Sequence, residues 1–368
     1  MFACDTCGMG YSDDGVTQAA LDEYYAAMGK YGDLGVYAGG DAGGLETEAP
    51  WELARAATLA DFIAGVATAD ARVLDLGCST GTLMVLVAER GFRNLSGIEP
   101  LPSAVRIARD ARGLDVAEGW ITTLPDPAAF DVVVLSHVLE HVLELREALD
   151  LIHGALAPGG VLVVEVPDSH RFHEYLHIPY QDFNTEHINH FSPAILSALI
   201  ESAGYACESL QEDVVGAGPD HPYPVVRGAW RRADRTQAMS VADEDRSAHR
   251  LALDAYAGAS EAMFRRIDEH TAALVGSERF GVWGAGQFTM KWLRREAFPI
   301  EQLSLVVDSA TSRDGLRLLD HDVVAPAAVA QDEWPPVMLA GSAYAAGAIA
   351  DSAARMGIAS RVASPFDP

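Results

Sequence analysis

The chain has 368 residues, and its 26 Lys and Arg stand against 53 Asp and Glu for a formal charge of −27. That balance excludes nucleic acid as a partner, because a polyphosphate needs a basic footprint to release its counterions. The length predicts two or three domains with cores of their own, no apolar run reaches membrane-spanning length, and Met1-Phe2-Ala3-Cys4-Asp5 lacks the basic-then-apolar pattern of a leader, so a cytoplasmic location is expected.

Residues 1–50 read as loop-rich, with one short helix over Gln18–Met28 and a glycine-heavy stretch over Gly39–Gly44. Cys4 and Cys7 have the spacing of half a zinc knuckle. A structural zinc needs four ligands and no second Cys-x-x-Cys exists, so no metal is expected. Trp51–Ile63 reads as a helix and Val73–Leu76 as a buried parallel strand. Gly77-Cys78-Ser79-Thr80-Gly81 then makes a tight turn into the helix Leu83–Ala88. Leu95–Glu99 is the next strand, Pro102–Arg112 a helix and Gly113–Glu118 a third strand. Phe130–Ser136 is apolar without alternation, as a strand buried on both faces must be. The helix Leu143–Leu156 ends at Ala157-Pro158-Gly159-Gly160, ahead of a fifth strand over Val161–Val166. Ser192-Pro193 opens a helix to Ala203 with Gly204 as its C-cap, and Tyr205–Val215 with Tyr223–Trp230 form a closing hairpin. Five alternating strand–helix units and a hairpin predict an α/β fold, a Rossmann-like doubly wound sheet ending in an antiparallel hairpin.

After a polar segment at Arg231–Arg246, Asp243–Leu274 reads as one long helix. Phe280-Gly-Val-Trp-Gly-Ala-Gly286 begins a second strand–turn–helix unit whose next strand ends at Asp308. Val337–Ala340 and the helix Ala345–Met356 complete a smaller α/β domain. The expected division is 1–50, a sheet domain over 51–232, a linker and helix over 233–276, and a second Rossmann-like domain over 277–368. Gly284-x-Gly286 has Thr289 where a third glycine would sit, and Asp308 lies at ribose spacing. An NAD-dependent oxidoreductase working through this domain is therefore an alternative.

In the first sheet the turn spacing is Asp-x-Gly-x-x-x-Gly, and Asp75 is expected to point into the site. A carboxylate there repels a phosphate and suits an ammonium group, while Glu99 can accept both hydroxyls of a ribose. The combination resembles the S-adenosylmethionine (SAM) site of Rossmann-like methyltransferases. The resemblance implies that the acidic turn faces the methionine part and Glu99 the ribose. Asp75, Gly77, Cys78, Ser79, Gly81 and Glu99 are the expected cofactor contacts, completed by Pro100, Trp120, Ser136 and His137.

Eight of the twelve histidines fall between His137 and His190, where the chemistry is expected. In Ser136-His137-Val-Leu-Glu140-His141, the spacing of His137, Glu140 and His141 suggests metal ligation, but the preferred reading has Ser136 and His137 as pocket lining and Glu140 and His141 as groups that cap and orient the loop. Glu186-His187-x-x-x-Phe191-Ser192 lies in an insertion after the fifth strand. It resembles the Tyr-His-Glu-His-x-x-x-Phe-Ser motif of sugar C-methyltransferases acting on nucleotide-linked 4-keto-6-deoxy sugars, with Asn184 and Thr185 in place of the motif's Tyr and first His. Members of that family carry an N-terminal zinc module, a SAM-binding middle and a second Rossmann-like domain. The resemblance implies that His187 is the proton-abstracting base, with Glu186 beside it.

Independently of the family, a carbon acceptor must lose a proton α to a ketone before it can attack a methyl group. That requires a base and donors to the enolate oxygen. His187 suits the base, Glu186 its orientation, and His190 and Asn184 the donors; Arg171 and Arg227 are candidates for a substrate phosphate. The expected function is SAM-dependent carbon methylation of a nucleotide-activated keto-sugar. O- or N-methylation of a carbohydrate or secondary metabolite is the alternative.

Overall fold

The computed structural model describes residues 2–12, 15, 17–18, 20–21, 48–124, 127–218, 221–233, 237–310 and 315–366. Of the helix expected over Gln18–Met28, Gln18, Ala20 and Leu21 are helical. The remainder from residue 22, and the segment Gly39–Gly44, lie outside the described residues.

Two short strands, Phe2–Ala3 (β1) and Gly10–Tyr11 (β2), precede the helix Pro50–Val66 (α1). The central sheet then builds from Arg72–Leu76 (β3), the helix Thr82–Glu89 (α2), Asn94–Glu99 (β4), the helix Pro102–Arg106 (α3), Val116–Glu118 (β5) and Phe130–Ser136 (β6). It continues with the helix Leu145–Ala155 (α4), Leu156–Pro167 (β7), the short strand Asn189–His190 (β8), the helix Pro193–Ser202 (α5), Tyr205–Gly216 (β9) and Pro222–Arg232 (β10).

The seven strands lie in the order β5-β4-β3-β6-β7-β10-β9. The first five are parallel, and β10 runs antiparallel to both β7 and β9. This is the doubly wound, Rossmann-like sheet with a terminal antiparallel hairpin that the sequence predicts. The turn expected at Ala157-Pro158-Gly159-Gly160 falls inside β7 as an excursion. Phe130 pairs with Leu156 but Val132 with Val161, so four residues of β7 stand against Asp131 alone and the pairing resumes with its register shifted by three.

Side chains alternate across the sheet. Val73, Val132, Val134 and Val163 pack under Leu59 and Ile63 of α1 and Leu86 and Val87 of α2. Leu74, Leu76, Val133, Leu135 and Val164 pack on the other face with Leu149 and Ile152 of α4 and Leu196 of α5. Ser192 caps α5 by accepting the Ile195 N–H at 3.4 Å, as its position before Pro193 suggests.

The N-terminal strands join a third sheet, β1-β2-β8. Gly10 pairs with His190 and Tyr11 with Asn189, so the first residues of the chain clamp the end of the Glu186–Ser192 motif. The Cys4-x-x-Cys7 segment forms the hairpin turn, closed by Cys4 N–H to Met9 O (2.9 Å) and Gly8 N–H to Cys4 O (2.8 Å).

Contacts divide the chain into one unit of Met1–Tyr175 with Thr185–Asp254 and another of Leu176–Asn184 with Ala255–Pro368. The boundary falls inside the helix Asp243–Val275 (α6), not at a polar linker before it. Different stretches of α6 bury different partners. His249 Nδ1 lies 3.0 Å from the Gly8 carbonyl in the first unit, whereas Phe264 and Ile267 enter the core of the second.

The second unit has Phe280–Trp283 (β11), the helix Gln287–Trp292 (α7), Leu303–Val307 (β12), Arg317–Leu318 (β13), His321–Val324 (β14), Val337–Ala340 (β15), the helix Ala346–Arg355 (α8) and Val362–Ala363 (β16). Their order is β13-β14-β12-β11-β15-β16, parallel except for β13. The short strands β13, β14 and β16 carry too little periodicity to be read from sequence. Residues 176–184 belong here because Lys291 Nζ donates to the Tyr180 and Phe183 carbonyls and the Tyr256 hydroxyl donates to Asp182 at 2.8 Å.

Gly77 turns the chain after β3 at φ +75°, and a Cβ there would stand 2.7 Å from Val138 Cγ2. Gly77→Ala is expected to cost about 1–3 kcal/mol, from left-handed strain plus overpacking. An unchanged thermal midpoint would show that the turn tolerates the side chain.

Candidate functional site

The carboxyl ends of β3, β4 and β6, with the loop leading into β8, enclose a cavity of about 350 Å³, in the size range of small-ligand sites. It sits at the sheet edge where open α/β folds bind ligands. One end is lined by Gly77, Ser79, Glu99, Pro100 and Trp120, the other by Arg55, His137, Glu140, His141, Glu186 and His187.

Glu99 holds the first end together. Its Oε2 accepts the Ser79 N–H and its Oε1 the Leu101 N–H, both at 2.9 Å. Burial raises the Glu99 pKa above the usual carboxylate range, against the pull of those two amides. Ser79 adopts φ +50°, which presents its N–H to the acid.

Asp75 is not among the lining residues, contrary to the sequence expectation. The alternation of β3 sends Leu76 to the cavity. Asp75 lies on Val73's face, against Ile63, Leu83, Val87 and Val134. Burial, and then the charge of Glu99, push its pKa up to about 7. Cys78, Gly81 and Ser136 also stand off the cavity. A Cβ on Gly97 would meet the buried Cys78 Sγ at 2.6 Å, and Gly81 is the left-handed N-cap of α2.

The other end is a cluster of imidazoles around buried acids. His137 follows β6 at φ +55°. Its Nδ1 is 3.2 Å from Glu140 Oε1 and its Nε2 is 3.6 Å from Glu165 Oε1. Burial and Arg55 push the His137 pKa down, but Glu140 and Glu165 outweigh them and the net direction is up. Burial would raise Glu140, yet the bond to His137 and the neighbouring imidazoles hold it at about 2, so it is ionised at neutral pH. His187 is pushed down to about 3, first by burial and then by His141, and is neutral. His141 Nδ1 lies 2.8 Å from the Glu186 carbonyl.

Two of the expected enolate donors lie elsewhere. His190 is buried in β8, edge-on to Phe172 and with its pKa lowered to about 3 by burial, and does not line the cavity. Asn184 belongs to the second unit, where its amide donates to the Gln181 carbonyl at 3.1 Å. Their proximity in sequence to His187 misleads because His190, which bonds the His187 backbone, keeps its ring off the cavity, and Asn184 is held within the 176–184 segment. Neither candidate phosphate ligand lines the cavity: Arg227 is buried against Glu165 at 2.6 Å, and Arg171 bonds Tyr175. Arg55 does line it, and sequence reasoning missed it because it sits on a helix with no motif around it.

Residues 51–210 match a family model described as a methyltransferase domain. A probable S-adenosylmethionine-dependent methyltransferase of Mycolicibacterium smegmatis is 34% identical over 149 residues, covering 40% of this chain and 56% of the relative. A ubiquinone biosynthesis O-methyltransferase of Idiomarina loihiensis is 36% identical over 96 residues, 24% of this chain and 39% of the relative. The chain thus spans about half the length, or less, of the curated relatives it matches. Among solved structures, a Burkholderia thailandensis 1,6-didemethyltoxoflavin-N1-methyltransferase with bound S-adenosylhomocysteine aligns at 18% identity with a TM-score of 0.43, covering 61% of this chain and 95% of that one.

Asp75 ordinarily titrates at 3.8 and in the folded protein at about 7, so the folded state binds the extra proton between those values. Stability therefore falls as pH rises from about 4 to about 7, by at most about 1.4 kcal/mol per pH unit. Asp75→Asn is expected to flatten that slope in urea unfolding across the window; parallel wild-type and variant profiles would contradict the assignment.

Proposed function

We propose that the chain is a SAM-dependent methyltransferase of a small molecule. The observation that carries this is the Glu99 carboxylate, held by two backbone amides at the end of β4 and lining a cavity within the segment that matches the methyltransferase domain. The adenosine lies along Glu99, Pro100 and Trp120 with its ribose hydroxyls on Glu99, and Gly77 lets the ligand approach the backbone. The methionine end then points toward Arg55 and His137, where the Arg55 guanidinium suits its carboxylate.

The acceptor faces the imidazole end. The Glu186–His187 pair, in the motif that resembles the sugar C-methyltransferases, favours a nucleotide-linked keto-sugar methylated at carbon. The base takes the proton α to the ketone, and the electron pair left on carbon attacks the sulfonium methyl in line. The S–CH3 bonding pair returns to sulfur, leaving S-adenosylhomocysteine. The enzyme's main contribution is to hold donor and acceptor at attack distance in a partly dry cavity. The Glu186–His187 pair, which lines the cavity, supplies that base.

Glu99→Gln is expected to weaken SAM binding about tenfold in calorimetry, the worth of a charged hydrogen bond; unchanged affinity would remove the ribose assignment. With a nucleotide-linked 4-keto-6-deoxy sugar in D2O and no SAM, deuterium should enter the carbon next to the ketone. With SAM, mass spectrometry should place the new methyl on that carbon. A product methylated only on oxygen would overturn the carbon assignment and keep the cofactor.

A further inference from the structure

We propose that Glu140, His141 and His187 bind a divalent transition-metal ion in the cavity wall. One ligand atom from each comes within 4.8 Å of the others, and all three residues line the cavity. They converge from two segments far apart in sequence, the turn after β6 and the loop before β8.

Three observations make the cluster a metal site and not a polar contact. First, the Glu140 carboxylate is 1% exposed and lies between two imidazoles, with His137 Nδ1 at 3.2 Å and His141 Nε2 at 3.9 Å from its Oε1. A carboxylate buried in that way is stabilised by a cation beside it. Second, the His141 imidazole is oriented as metal-binding imidazoles are. Its Nδ1 donates to the Glu186 backbone carbonyl at 2.8 Å, which turns Nε2 toward Glu140, 3.9 Å from its Oε1. Third, two imidazole nitrogens and one carboxylate oxygen form the donor set of a zinc- or iron-type site, not of an all-oxygen calcium or magnesium site.

Three protein ligands leave coordination positions open toward the cavity. The ion's role rests on the methyltransferase reading: bound to the acceptor's oxygen, it acts as a Lewis acid and makes the neighbouring proton easier to remove. With His187 on the metal, Glu186 is the member of the motif pair left to take that proton. The competing source of positive charge is His137, whose Nδ1 lies 3.2 Å from Glu140 Oε1.

The test uses the full chain carrying Cys4→Ser and Cys7→Ser, so that thiolates do not compete, stripped with chelator and titrated with Co2+. One equivalent is expected to bind, giving visible absorption of a nitrogen- and oxygen-ligated ion and a rise in Tm. Glu140→Gln and His187→Gln should each weaken uptake at least tenfold and abolish the Tm rise, with circular dichroism confirming the fold. If one variant fails to fold, the other decides. No Co2+ uptake, or uptake unchanged in a folded variant, overturns the site and leaves His137 as Glu140's counterion. SAM calorimetry on the stripped protein separates the two readings. SAM binding without Co2+ uptake sinks the metal site alone, and Co2+ uptake without SAM binding sinks the cofactor site alone.

Discussion

Two backbone amides on one carboxylate organise the cavity. By accepting from Ser79 and Leu101, Glu99 ties the turn after β3 to the turn after β4, so both strand ends face the same space. The Gly77 N–H adds a bond to the Ile98 carbonyl at 2.8 Å, tying the first turn to β4 as well. The acid is buried, and burial strengthens each of its bonds by removing competing water.

The second unit repeats this device. Asp308, just after β12, accepts the Ala285 N–H at 2.6 Å and the Ala310 N–H at 2.8 Å, as Glu99 accepts from Ser79 and from the residue two positions on. Thr289, standing where a third glycine was expected, is buried and donates to the Gly284 carbonyl at 2.6 Å. That bond fastens the turn from within, a structural use for a residue that departs from the dinucleotide pattern.

The N-terminal hairpin acts on the motif loop through backbone bonds. Ser12 N–H donates to the Ile188 carbonyl at 2.9 Å and Ile188 N–H to the Glu140 carbonyl at 2.7 Å, which sets the His187 segment beside the turn after β6. Arg246 donates to the Thr6 carbonyl at 2.6 Å and His249 lies 3.0 Å from the Gly8 carbonyl, so the Cys4-x-x-Cys7 turn is braced against the start of α6. A motif shaped like half a metal knuckle thus serves here as a hairpin turn that supports a loop 180 residues away.

By itself the sequence determined the central sheet, because unbroken apolar runs, glycine turns and helix caps are local signals that burial does not reverse. It also placed Glu99 at the end of a strand and His187 in the insertion after the fifth strand, since such positions follow from local signals. Only the tertiary structure decided where side chains point. One step of strand alternation put Leu76 on the cavity and Asp75 under the helices; β8 pairing turned His190 away, and Arg227 was consumed by Glu165. The gathering of Glu140 and His141 with His187 was equally hidden, because residues 46 positions apart meet only through the pairing of whole segments, which no local pattern encodes.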